Sequence, residues 1–186
     1  MADQGAEGVL SPWLQRRRFA AALPYLTGRV LDVGCGSGAL AGRLKADRYY
    51  GTDVDPESLE LARSRFPNYV FSSQLPALDE RFDTVVALAV IEHDAEPGDF
   101  LKRLTAYMRD SNSRLVVTTP HPSMDWIHDV GAAIGLFSKH ANEEHEGLLD
   151  RATLVRAGAV AGLRLSSYRR FLFSANQIAV FQKEDR

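Results

Sequence analysis

Two carboxylates and three alternating glycines are the residues of this chain best placed to do chemistry. Gly34, Gly36 and Gly38 alternate in Gly34-Cys35-Gly36-Ser37-Gly38, directly after the apolar run Val30-Leu31-Asp32-Val33. Glycine at such positions allows positive φ or a close approach of the backbone to a ligand. Asp53 ends the next apolar run, about 20 residues beyond the start of the glycine loop, where a carboxylate can accept hydrogen bonds from ribose hydroxyls. The set predicts a site for an adenosine-containing ligand. Asp32 narrows the choice, because a fixed negative charge before the loop is a poor neighbour for a pyrophosphate and a good one for an ammonium or a sulfonium. The fingerprint G-x-G-x-x-G/A can also be laid on Gly34, Gly36 and Ala39. It requires a helix N-terminus that holds a pyrophosphate, and it keeps a nicotinamide-dependent oxidoreductase open as an alternative.

The histidines are the candidates for proton chemistry. His93 follows the fourth apolar run and His121 follows the fifth, which puts both at the strand ends where ligands bind in open α/β sheets. His128, His140 and His145 lie in the irregular stretch 121–147, which is expected to form a lid over an acceptor. His121, His93 and His145 are the catalytic candidates, for a hydroxyl acceptor gains from a general base. The run His140, Glu143, Glu144, His145 and Glu146 contains metal-ligand types but no recognisable zinc spacing, so no metal site is assigned. Cys35 stands where the loop needs a small residue, which favours packing over nucleophilic attack. Trp13 and Trp126 could cover an apolar acceptor or belong to the core.

Elements that could position these groups are legible in order. Ser11-Pro12 starts a helix that Pro24 ends. Strands are expected at Val30–Val33, Arg48–Asp53, Tyr69–Phe71, Phe82–Leu88 and Arg114–Thr119. Helices are expected at Ala39–Ala46, Glu57–Arg65 and Pro97–Met108, and another follows an N-cap at Asp150. Two late strands near Leu163–Phe171 and Gln177–Gln182 are close enough in sequence to pair as a hairpin. Strands alternating with helices predict an α/β fold: a doubly wound, mostly parallel, seven-stranded Rossmann-like sheet with an antiparallel edge hairpin at the C-terminus. Residues 1–186 read as one domain, with 1–27 as an N-terminal tail and helix.

Composition sets the outer bounds. Of 186 residues, 45% are hydrophobic and 25% charged, the balance of a globular domain with a sizeable core. A net charge of −2 gives no reason to expect a polyanionic partner. The run Arg16-Arg17-Arg18 reads as a solvated helix face. No apolar run approaches the roughly 20 residues of a membrane span. Residues 1–10 are unlike a signal peptide. The single cysteine excludes an internal disulfide and fits a reducing compartment, so a cytoplasmic location is expected.

Taken together, these stretches resemble one family. Val30–Gly38 looks like motif I of the class I S-adenosylmethionine-dependent methyltransferases. Gly51-Thr52-Asp53-Val54-Asp55-Pro56 resembles the motif that follows it. Phe82-Asp83-Thr84-Val85-Val86, Ile91-Glu92-His93, Leu115–Pro120 and the stretch from His145 to Gly162 are similar to the small-molecule branch, which includes quinone-biosynthesis O-methyltransferases. The resemblance runs from about Gly28 to Gln182. It implies S-adenosyl-L-methionine as cofactor, with Gly34, Cys35, Gly36 and Gly38 along its methionine part and Asp32 near its ammonium. It further implies Asp53 on the ribose, Val54 beside the adenine and a backbone contact from Leu88. The branch usually has an acid after the third strand to meet the adenine amino group, whereas this chain has Ser72-Ser73-Gln74, so Ser73 or Gln74 is expected there. Its glycine pair before the fifth strand is replaced by Ser111-Asn112-Ser113. The implied reaction is methyl transfer to a small molecule, more readily at oxygen than at nitrogen. A non-catalytic cofactor-binding protein is the remaining alternative. Nucleic acid is disfavoured as acceptor, since Leu88-Ala89-Val90 stands where an Asn/Asp-Pro-Pro-aromatic run would follow the fourth strand. Oligomeric state is left open.

Overall fold

Apolar runs of strand length separated by amphipathic segments fold here into one sheet with helices on both faces. A computed structural model of the chain describes residues 11–122 and 149–184. Five parallel strands form its centre: β1 (Val30–Val33), β2 (Tyr49–Thr52), β3 (Val70–Ser72), β4 (Thr84–Leu88) and β5 (Arg114–Pro120). With β6 (Leu163–Phe171) and β7 (Asn176–Lys183) they are ordered β3-β2-β1-β4-β5-β7-β6. β7 runs antiparallel to both β5 and β6. The expected hairpin is therefore present, with its second strand beside β5 and its first at the sheet edge.

Side chains alternate across the sheet with the period of 2 that a strand imposes. Leu31, Val85, Leu115 and Phe181 pack with α3 (Pro97–Thr105) and α4 (Arg151–Val160). Val30, Val86, Val116 and Val180 pack with the buried residues of α1 (Ser11–Ala22) on the other face. β4 is buried on both faces, which explains its unbroken apolar reading. The smaller cluster of Tyr49, Phe71 and Cys35 receives Leu59 and Ala62 of α2 (Pro56–Arg65).

Local chemistry fixes the helix starts near the sheet's carboxyl edge. Asp55 caps α2 by accepting from the amides of Glu57 (3.3 Å) and Ser58 (3.0 Å), and Pro56 fills the first helical position. Asp150 caps α4 through the Thr153 amide at 2.7 Å. The order of the strands reverses between β1 and β4, so a crevice opens beyond their carboxyl ends, where α/β sheets bind ligands.

The helix expected over Ala39–Ala46 is absent. The chain makes turns and two three-residue 3-10 segments, Ala41–Arg43 and Ala46–Arg48. Gly34, Gly36 and Gly38 all have positive φ (74°, 51° and 76°), and Gly42 follows one turn later. Each glycine in a helix interior costs about 1 kcal/mol relative to alanine, and the short stretch between them cannot nucleate an α-helix. α3 is also shorter than expected: it ends at Thr105, and Met108 instead bridges Phe82, which lies outside β4. Of the expected lid, His121 and Pro122 are among the described residues, while Trp126, His128, His140 and His145 are not. No described helix is long and apolar enough to cross a membrane.

Candidate cofactor site

The glycine loop is curled over the end of β2 by its own backbone. The Gly34 and Cys35 amides both donate to the Thr52 carbonyl, at 2.8 and 3.0 Å. The Gly36 amide donates to Asp53 Oδ2 at 2.7 Å, and the Asp55 amide donates to Asp53 Oδ1 at 3.0 Å. Asp53 thus ties the loop to the start of α2, with lone pairs remaining for further donors. A Cβ on Gly34 would lie 2.4 Å from Val90 Cγ2, so only glycine lets the loop pass beneath that side chain. Val90 reaches this position because the chain leaves β4 through Ala89 in the left-handed region (φ 59°).

Two cavities meet at Gly34. The larger, about 260 Å³, has Asp53, Val54 and Ser73 at the ends of β2 and β3, with Val90 opposite and Phe100 and Arg103 contributed by α3. The smaller, about 130 Å³, is floored by Asp32, Gly36 and Leu88 and covered by Gln15, Arg18 and Phe19 of α1. The first is largely apolar around one carboxylate, which suits a nucleoside. The second sets a guanidinium and a carboxyl group around one small space, which suits the head of an amino acid.

Electrostatics distinguish the two acids. Asp32 is 3% exposed and accepts from the Tyr49 hydroxyl at 2.7 Å. Burial pushes its carboxyl up to about 7; the Tyr49 bond opposes the shift and the Asp53 charge adds to it. In the cofactor-free site Asp32 therefore holds a proton through much of the range below neutrality. Burial, followed by the Asp32 and Asp53 charges, also raises the Cys35 thiol, so Cys35 is an un-ionised packing group rather than a nucleophile. Arg18 Nε donates to Asn176 Oδ1 at 3.1 Å, which fastens α1 to the start of β7. Burial draws Arg18 downward and Glu92 acts against it. Glu92 is itself 4% exposed, and burial raises its carboxyl.

The predicted residues separate by position. Asp32, Gly34, Cys35, Gly36 and Leu88 line the smaller cavity, and Asp53, Val54 and Ser73 line the larger, with Gly34 common to both. Gly38 lines neither: a Cβ there would lie 2.9 Å from the Phe71 ring, so its lack of a side chain serves packing against β3. Gln74 is exposed and lines neither cavity. His93 is exposed at the end of the 3-10 turn Ile91–His93. The His121 amide donates to the Ala175 carbonyl at 3.0 Å, and its Nδ1 lies 2.9 Å from Arg170 Nη2. A guanidinium only donates, so Nδ1 accepts and the neutral ring carries its proton on Nε2. Burial lowers the His121 pKa, as does the Arg170 charge, while Asp150 acts in the opposite sense.

Arg18 and Arg103 were not singled out from the sequence. For Arg18 a signal existed, since Leu14, Arg18 and Ala22 recur every four residues and face inward while Arg16 and Arg17 are exposed. The short 3-10 segment after the glycine loop weakens the dinucleotide alternative, because a pyrophosphate requires the aligned amides of a true helix N-terminus.

A family model described as a methyltransferase domain matches residues 6–168. Over 127 residues the chain is 34% identical to an uncharacterized methyltransferase of Mycobacterium tuberculosis, covering 61% of this chain and 64% of that protein. A ubiquinone biosynthesis O-methyltransferase of Rhodopseudomonas palustris is 33% identical over 111 residues, 54% of this chain and 44% of that protein. The chain thus spans less than two-thirds of the length of these curated relatives. Among solved structures, the magnesium protoporphyrin IX methyltransferase of Synechocystis with bound S-adenosylhomocysteine superposes with a TM-score of 0.66 at 18% identity, covering 92% of this chain and 83% of the other. The glycine loop, the acid at the end of β2 and the seven-stranded order agree with these matches, and the chain belongs to the class I S-adenosylmethionine-dependent methyltransferases.

Proposed function

We propose that this chain transfers the methyl group of S-adenosylmethionine to an oxygen of a small-molecule acceptor. The observation that carries the reading is the pair of cavities joined at Gly34, one suited to adenosine and the other to a zwitterionic amino-acid head. Arg18 holds the carboxylate of that head, and Asp32 faces its ammonium. Asp53 accepts from the ribose hydroxyls, while Val54 and Val90 flank the base. When bound, the cofactor supplies an electrophilic methyl whose leaving group is a neutral thioether. The residues of the chain therefore need only align the acceptor and exclude water. Phe19 and Leu88 give the methionine end an apolar lining for that purpose.

His121 acts as a hydrogen-bond donor that orients the acceptor oxygen, because Arg170 sets the tautomer with its proton on Nε2. His93 and His145 are the other candidates for acceptor contact, with residues 121–147 as a lid on a single domain. Oxygen as the target is supported by the likeness to the ubiquinone biosynthesis O-methyltransferase of Rhodopseudomonas palustris. A cytoplasmic location accords with the free buried thiol of Cys35.

Two assays test the proposal. Calorimetric titration with S-adenosylhomocysteine and with NAD is expected to give binding of the first alone; tight NAD binding without the other would overturn the cofactor assignment. Methyl-labelled cofactor offered with panels of phenols, carboxylic acids and amines is expected to label oxygen, and label confined to the amines would refute the choice of atom.

A further inference from the structure

Among the described residues, Asp53 is the one carboxylate that lines the larger cavity, and it is engaged away from the amino group of adenine. Asp53 holds the Gly36 and Asp55 amides and, in the function proposed above, the ribose. Asp94 does not line the cavity and is already engaged: its Oδ2 accepts from Arg103 Nη2 at 2.5 Å and its Oδ1 from the Glu96 amide at 3.0 Å. Besides Thr52 and Asp53, the polar residues in the lining are Ser73 and Arg103, alongside Val54, Leu75 and Phe100. Asp94 occupies one nitrogen of Arg103 and holds the side chain over the Phe100 ring, 5.8 Å from its centroid. Its remaining N–H groups have no partner among the described residues.

A guanidinium donates and never accepts, so Arg103 recognises acceptors, while the Ser73 hydroxyl can serve either way. Adenine offers ring nitrogens as acceptors and a single exocyclic amino group as donor, and a guanidinium can pair with the ring nitrogens and not with the amino group. A 6-oxo purine puts a further acceptor in the amino group's place and carries a hydrogen on N1, so N7 is the acceptor beside the substituent in both bases, and arginine takes the O6/N7 edge in a bidentate manner.

We infer that Arg103, assisted by Ser73, is the residue that reads the cofactor's base, through its ring acceptors rather than through its amino group. The chain therefore tolerates a 6-oxo base at this position. A site that held the amino group on a carboxylate would reject that base by a factor on the order of 10⁴, because its buried acceptor would be left unpaired.

The inference rests on the larger cavity being the adenosine end, and the experiment separates the two. S-adenosylhomocysteine and S-inosylhomocysteine are titrated calorimetrically into the full chain and into Arg103→Met, which keeps the stem over Phe100. Thermal melts of both proteins report folding. The expected result is inosyl affinity within about tenfold of adenosyl affinity in the unsubstituted protein. Both affinities are expected to fall about tenfold or more in Arg103→Met, with little change in Tm, as befits a half-exposed ion pair. A thousandfold preference for the adenosyl compound, or equal adenosyl affinity in both proteins, would overturn the inference while leaving the cofactor assignment standing. Absence of adenosyl binding to the unsubstituted protein would overturn both.

Discussion

Replacing Asp32 with asparagine is expected to make the cofactor-free protein more stable and the site worse. Asp32 is 3% exposed, and its carboxyl sits at about 7 where an ordinary one titrates near 3.8. That gap of about 3 pH units corresponds to at most about 4 kcal/mol of destabilisation when the group is ionised in the fold. The sign follows from linkage, since a folded pKa above the unfolded one means the native state binds the extra proton. The contribution is fully present below about pH 4 and is lost progressively as pH rises to about 7. Asparagine has the same shape and can still meet the Tyr49 hydroxyl, but does not ionise. The assay is chemical denaturation of both proteins between pH 5 and 8, read as the difference in unfolding free energy. Taking the difference cancels the opposing trends from carboxyls that the fold holds low, such as Asp83. Asp32→Asn is expected to gain on the original protein steadily from pH 5 to about 7 and then level off. Cofactor affinity runs the other way: an ammonium beside Asp32 favours the ionised form, so binding in the original protein tightens by about 30-fold from pH 5.5 to neutrality and above. In the variant binding is weaker and nearly independent of pH. A stability difference that is flat with pH would rule out the raised Asp32 carboxyl, and an asparagine variant that binds S-adenosylhomocysteine normally would rule out Asp32 as the partner of the ammonium.

Three further outcomes are expected. Gly34→Ala places a Cβ against Val90 at a left-handed residue, which costs about 1–2 kcal/mol in backbone strain before the clash is relieved; S-adenosylhomocysteine affinity measured by calorimetry should fall at least tenfold while the protein stays folded. Arg18→Met removes the cation of the smaller cavity, and S-adenosylhomocysteine binding is expected to weaken about 10- to 100-fold, whereas adenosine, which has no carboxylate, should bind both proteins alike. In a pH–rate profile of methyl transfer His121 is expected to give no acid limb, because protonation leaves its Nε2–H donor in place; a limb below the ordinary histidine range, where burial and Arg170 put this ring, that disappears in His121→Asn would reassign His121 as a base.

The parts legible in the sequence were those whose constraint is local. Val30, Leu31, Val85, Val86 and Ala87 are apolar because both faces of their strands are buried, and Asp55-Pro56 caps a helix with its own atoms. Asp32 and Asp53 stand out because a carboxylate at the end of an apolar run is anomalous. What was not legible depends on partners distant in sequence. Arg18 looks solvated within Arg16-Arg17-Arg18 until α1 is laid against β7 and Asn176 receives it. Gly38 resembles its neighbours in the loop, yet it answers to the Phe71 ring. The helix expected after the loop failed because alanine and leucine propensity was outweighed by four glycines in nine residues, from Gly34 to Gly42. Arg103 has no marker in the sequence, since its place on the cavity wall depends on the Asp94 pair and on the packing of α3.

A structure of the chain with S-adenosylhomocysteine would show whether the two cavities at Gly34 hold one ligand. The homocysteine carboxylate is expected at Arg18, its ammonium at Asp32 and the ribose hydroxyls on Asp53, with the base between Val54 and Val90. A ligand with its ribose away from Asp53, or with its amino-acid head outside the space between Arg18 and Asp32, would contradict that placement.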